Sequence, residues 1–201
     1  MNTQQHPLAN PDVQAGPDVR SRQAPLRAAY RSDPASAVVT DLAWTGGEGD
    51  LANPMLGRVH LGSHAVSHLD YGVHHAIGGT HEAPVPGDLL CAALAACQES
   101  SLRMVASVLG VRLLQLGVTA RGHVDVRGTL GDPLVPVAFQ SFEVSVRLRA
   151  APDTHPQRLR QLLRAAERSC VVLQTLRSAV PVVVEFDAPV IPDNIHQGAN
   201  P

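Results

Sequence analysis

The stretch Pro86-Gly87-Asp88-Leu89-Leu90-Cys91-Ala92-Ala93-Leu94-Ala95-Ala96-Cys97 runs on to Leu109 without another glycine or proline. Leu89 to Leu109 is predicted as one long helix, apolar on nearly every side apart from Gln98, Glu99, Ser100, Ser101 and Arg103. A helix of that kind is not an outer helix with one wet face. It belongs at the centre of a fold or in an interface. Asp88, just ahead of the apolar run, is expected as its N-cap, where a side-chain oxygen satisfies free backbone N–H groups.

Working outward, the flanking segments read as strands. Ala37 to Trp44 is expected as one strand, Thr45 to Asp50 as a turn, and Leu56 to about Asp70 as a second strand, together an N-terminal hairpin. Beyond the helix, Leu116, Val118, Ala120, Val124 and Val126 alternate with polar residues, as do Phe142, Val144, Val146 and Leu148. Both are expected as half-buried antiparallel strands. Leu159, Leu162, Leu163 and Ala166 stand at helical spacing, and Val182, Val184 and Phe186 are expected to make a last strand. The order implies an α+β domain with a mostly antiparallel sheet wrapped around the central helix.

At the edges, Pro25 to Arg31 reads as a short helix. Residues 1–23 and 191–201 lack apolar periodicity and read as flexible, disordered tails of a single domain spanning 24–190. Hydrophobic residues make up 44% of the 201-residue chain and aromatics only 3%, so the core must be built from Leu, Val and Ala. A net charge of −2 with scattered basic residues excludes general attraction to nucleic acid or anionic lipid. The run Leu89 to Cys97 is too short to cross a bilayer, and no export signal is visible, so a cytoplasmic location is expected.

Three cysteines in a reducing compartment leave packing, metal binding or redox chemistry as their roles. A lone free cysteine is usually a small buried hydrophobe. Cys91 lies six residues before Cys97, about 600° round a helix, so the two face differently and Cys91 is read as core. No glycine-rich phosphate loop or dinucleotide fingerprint occurs, so no cofactor is expected. His60, His64, His68, His74, His75 and His81 crowd into one hairpin and loop, the first three at even spacings that share one strand face. Without C-x-x-C or H-E-x-x-H, these are read as a polar face or site lining, with a metal site as the competing role.

The segment Pro86 to Cys97 resembles the helix-opening motif of the OsmC-like and organic hydroperoxide resistance proteins. Ala165-Ala166-Glu167-Arg168-Ser169-Cys170, before Val171-Val172-Leu173, resembles that family's second cysteine motif. The resemblance extends in element order from Ala37 to Asp187. It implies an OsmC-like fold, an intertwined homodimer, and a cysteine-based peroxide reductase of the oxidative stress response. In that scheme Cys97 attacks an organic hydroperoxide or hydrogen peroxide, Cys170 resolves through an intramolecular disulfide, and an external dithiol or lipoylated protein restores both. The family's activating Arg and its supporting Glu are not evident, since Gly87 stands at the Glu position and Glu48 follows the Gly46-Gly47 turn. Arg58, Arg103 and Arg168 remain as cations, and Glu99 is either an anchor for an incoming Arg or an ordinary helix carboxylate. The alternative is a noncatalytic family member that binds a small molecule or senses redox state.

Overall fold

The computed structural model describes residues 18–46, 53–62 and 68–186. The elements in order are helix α1 (Val19–Ser32), strands β1 (Ala43–Thr45), β2 (Leu56–Leu61) and β3 (His68–Gly72), and helix α2 (Pro86–Leu109). Strands β4 (Leu113–Val124) and β5 (Phe139–Ala150) and helices α3 (Pro156–Ser169) and α4 (Val171–Arg177) complete the chain. The α+β class and the antiparallel pairing are as expected. The single wrapping sheet is instead two sheets, β1-β2-β3 and β4-β5.

Helix α2 forms where the apolar run required it. Pro86 opens it at a position whose N–H would be unpaired in any case. Asp88 caps it, but from inside the first turn rather than at the N-cap, which is Val85: the Val85 amide donates to Asp88 Oδ2 at 3.0 Å. At the other end Gly110 adopts a left-handed φ of 65°, and the Val111 amide donates back to the Ala106 carbonyl at 2.8 Å. Two arginines satisfy further terminal carbonyls, Arg20 reaching Val108 and Arg158 reaching Leu109, each at 2.7 Å. Cations placed there also oppose the negative end of the helix dipole.

The core lies between α2, α3 and the β4-β5 sheet. Leu102, Ala106, Val111, Leu162 and Ala166 are buried together, with Leu116, Val118, Leu148 and Leu159 packed against them. Among the described residues α2 alone has the length and apolarity of a membrane span; in the single chain it buries one stripe, Leu94, Gln98, Ser101, Leu102 and Ala106. Its opposite stripe, including Ala92, Ala93, Ala96 and Met104, is exposed in the single chain.

Several expectations are corrected. The first helix begins at Val19, with Asp18 as a side-chain cap, so it takes in residues assigned to the N-terminal tail and carries Pro25 inside it. The strand expected from Ala37 shrinks to Ala43–Thr45, because Pro34–Ala37 closes into a 3-10 turn and Val38 and Val39 are left exposed. The long second strand is two: Gly62 turns at φ 54°, and β3 folds back on β2 with His60 opposite His68. Those two histidines therefore meet across strands instead of following one another along one face; His64, residues 47–50 and the outer tails lie outside the described residues. Val182 to Phe186 forms no strand within this chain, and Val182 and Phe186 are 83% and 90% exposed.

Candidate active site

Cys97 stands midway along α2, partly buried. Cys170 is the single residue between α3 and α4, with extended φ/ψ of −78° and 102°, so the two helices bend around it. Its side chain is fully buried. Packing of α2 against α3 and α4 brings the Cys97 thiol beside Cys170, 73 residues apart in sequence. Cys91 is partly buried and lies on a different face of α2, in keeping with its six-residue offset from Cys97.

Burial raises the Cys170 pKa above the ordinary thiol range, and the Cys97 thiol beside it raises it further. Backbone amides of Leu173 and Val172 favour the thiolate, but they do not win. The folded chain therefore keeps this proton after the unfolded chain has released it. Stability from this group is present below the ordinary thiol value and is lost as pH rises through the folded one. Denaturant midpoints should fall as pH climbs into the alkaline range, and Cys170→Ala should flatten that fall.

A groove of about 610 Å³ opens between α2, β5, α3 and α4, lined by neither Cys97 nor Cys170. Phe139, Phe142, Val144 and Leu163 form its apolar wall, and the two phenyl rings lie 4.8 Å apart. Gln98, the residue after Cys97, lines it while only 6% exposed, and its Oε1 has no hydrogen-bond partner among the described residues. An ion pair of Arg177 with Glu167, 2.9 Å, stands at its rim. None of these groove residues stands out as a site residue in the sequence, although a glutamine on the buried stripe of an apolar helix is a visible anomaly.

Two of the three candidate cations are engaged elsewhere. Arg58 pairs with Asp70 across β2 and β3 at 2.7 Å, and that contact lowers the pKa of the Asp70 carboxyl. Glu99 accepts from Arg103 one helical turn on, at 2.6 Å, which is the ordinary role for a carboxylate at that spacing. Arg168 is exposed on α3. A Cβ at Gly87 would sit 3.1 Å from the Phe139 ring, so the place of the family's Glu is backed by an aromatic wall. Among the described residues no arginine hydrogen-bonds to Cys97.

The sequence pattern of OsmC-like proteins matches residues 79–185, which includes both cysteines and the whole of α2. The chain belongs to the OsmC-like family. No curated protein matches it at a significant level. Among solved structures, an OsmC-like protein of Vibrio cholerae superposes with a TM-score of 0.56 at 10% identity, covering 69% of this chain and 94% of that one. One from Mycoplasma pneumoniae gives 0.50 at 12% identity, covering 70% and 87%. An organic hydroperoxide resistance protein of Legionella pneumophila gives 0.47 at 23%, covering 70% and 90%. The likenesses to the Vibrio and Mycoplasma proteins establish the OsmC-like fold for the chain.

Proposed function

We propose that this OsmC-like protein is a thiol-dependent reductase of peroxides, organic hydroperoxides first among them. The observation that carries the reading is the meeting of Cys97 and the buried Cys170 at the bend between α3 and α4. Cys97 as thiolate attacks the terminal oxygen of the peroxide: an S–O bond forms, the O–O bond breaks, and the alkoxide leaves and takes up a proton as alcohol. Cys170 then attacks the sulfenic sulfur, an S–S bond forms, and hydroxide departs with the Cys170 proton as water. An external dithiol, free or carried on a lipoylated protein, returns two electrons and restores both thiols.

The apolar wall of Phe139, Phe142, Val144 and Leu163 gives an organic substituent a surface to lie on, in a groove that Gln98, one residue on from Cys97, also lines. Homodimerisation belongs to the same reading. The uncovered stripe of α2 and the unpaired, exposed Val182–Phe186 segment are surfaces that a second copy would cover. A reducing cytoplasm and a role in the oxidative stress response follow from a thiol pair that must be reset after each turnover.

A second reading, a noncatalytic binding or redox-sensing protein, is favoured by the engagement of Arg58 with Asp70 and of Glu99 with Arg103, which takes two of the three candidate cations away from Cys97. Repeated additions of cumene hydroperoxide to catalytic amounts of reduced protein with excess dithiol separate the two. Peroxide loss over many equivalents, above that with dithiol alone, supports the reductase; loss no faster than with dithiol alone supports the second reading.

A further inference from the structure

The loop between β3 and α2 gathers His74, His75 and His81 beside the first turn of α2. An imidazole nitrogen of each lies within 4.8 Å of those of the others. His75 Nδ1 and His81 Nδ1 are 3.3 Å apart. Two nitrogens bound to one tetrahedral metal at about 2.0–2.1 Å stand about 3.3–3.4 Å apart, so this pair already has the edge of a coordination tetrahedron.

The loop is held in that shape by its backbone. His75–Ile77 forms a 3-10 turn, closed by Gly78 at φ 90°. The Gly79 amide donates to the His74 carbonyl at 3.0 Å, and the His81 amide donates to the Val73 carbonyl at 3.2 Å. Gly79 packs so tightly that a Cβ there would collide with the Val73 carbonyl. His81 itself is the one described non-glycine residue with positive φ, 56°, a strained conformation that the loop enforces and that turns its ring toward His75.

His81 Nε2 also faces Asp88 Oδ2 at 3.7 Å. That is an ion-pair distance rather than a hydrogen bond, and a small closing of it would give His81 the carboxylate partner that metal-ligating histidines commonly have on the other ring nitrogen. We propose that His75 and His81, with His74 as a third and weaker ligand, bind a divalent first-row transition cation of the Zn²⁺ class, with Asp88 orienting His81. The cation ties the loop after β3 to the first turn of α2. His74 is the weaker ligand because its Nδ1 accepts the Ala76 amide at 3.0 Å. Binding through Nδ1 displaces that amide, and binding through Nε2 puts a proton on Nδ1, so either route gives the bond up. The site shares no residue with the thiol pair, and its fate is independent of the reductase reading.

The test is calorimetric titration of untagged, full-length protein with Zn²⁺ itself, in a Cys97→Ser/Cys170→Ser background that removes thiol ligands. One equivalent per chain is expected. His75→Ala and His81→Ala should each weaken it at least tenfold, Asp88→Asn about tenfold to a hundredfold, and His74→Ala least of the three histidines. Asn at position 88 keeps an oxygen for the Val85 amide, so that variant separates metal binding from helix capping. His60→Ala/His68→Ala serves as the control for surface histidines and should leave affinity unchanged. Equal affinity in the parent, His75→Ala and His81→Ala proteins, or loss confined to the His60/His68 variant, would overturn the assignment.

Discussion

Cys97→Ser is expected to bring dithiol-dependent peroxide turnover down to the uncatalysed background, the largest effect of any single substitution on activity. A serine hydroxyl remains protonated at neutral pH and is a far weaker nucleophile than a thiolate toward the O–O bond. Position 97 is only partly buried and serine is nearly isosteric, so the fold should survive with an unchanged melting temperature. Cys170→Ser should behave differently. It retains the attacker, so one equivalent of peroxide is consumed and a sulfenic acid accumulates on Cys97, to be captured with dimedone and weighed by mass spectrometry. Cys91→Ser should turn over at the parent rate, which makes it the control for loss of a thiol as such. Equal activity in the Cys97→Ser and Cys91→Ser proteins would remove Cys97 from the mechanism.

The second large effect is on stability. Leu102→Ala deletes a side chain that is 1% exposed, at the point where α2 meets α3 and the β4-β5 sheet. Such truncations cost about 2–5 kcal/mol through lost transfer free energy and the cavity left behind. For a chain of this size each kcal/mol shifts the midpoint by roughly 2–4 °C, so a drop on the order of 10 °C is expected by calorimetry. Met104→Ala, on the exposed opposite stripe of the same helix, should cost less in a monomer. If a second chain covers that stripe, the Met104→Ala loss grows with protein concentration as dimer forms.

The central helix and the long hairpin are legible in the amino-acid sequence itself. The unbroken run from Leu89 to Leu109 has only one reading as a helix, and the period-2 patterns of Leu116 to Val126 and Phe142 to Leu148 mark two strands that do pair, Val118 opposite Val146. Cys97 and Cys170 are recognisable by motif, whereas no periodicity places them together. The features that the sequence hides have physical causes. Leu56 to Asp70 holds two glycines, of which Gly57 sits inside a strand and Gly62 turns; the left-handed φ of Gly62 is a backbone property that a run of strand-forming neighbours conceals. A carboxylate suits the cap position better than Val85 does, which points to Asp88 as the N-cap; the reciprocal geometry, in which the third helical residue reaches back, depends on the first turn already being formed. Val182 to Phe186 has strand composition without a strand to join among the described residues, since pairing depends on a neighbour rather than on the segment itself. Groove residues such as Phe139, Leu163 and Arg177 come from three different elements, and their convergence is a tertiary fact.

The central claim is that Cys97 and Cys170 form one redox unit. The most direct measurement is peptide mapping by mass spectrometry, without reduction, of the protein mixed with one equivalent of cumene hydroperoxide and then alkylated. The expected result is a disulfide joining the peptides that carry Cys97 and Cys170, with Cys91 recovered in its alkylated form. Full alkylation of all three cysteines after peroxide treatment, or a linkage that includes Cys91 in place of Cys170, would contradict it.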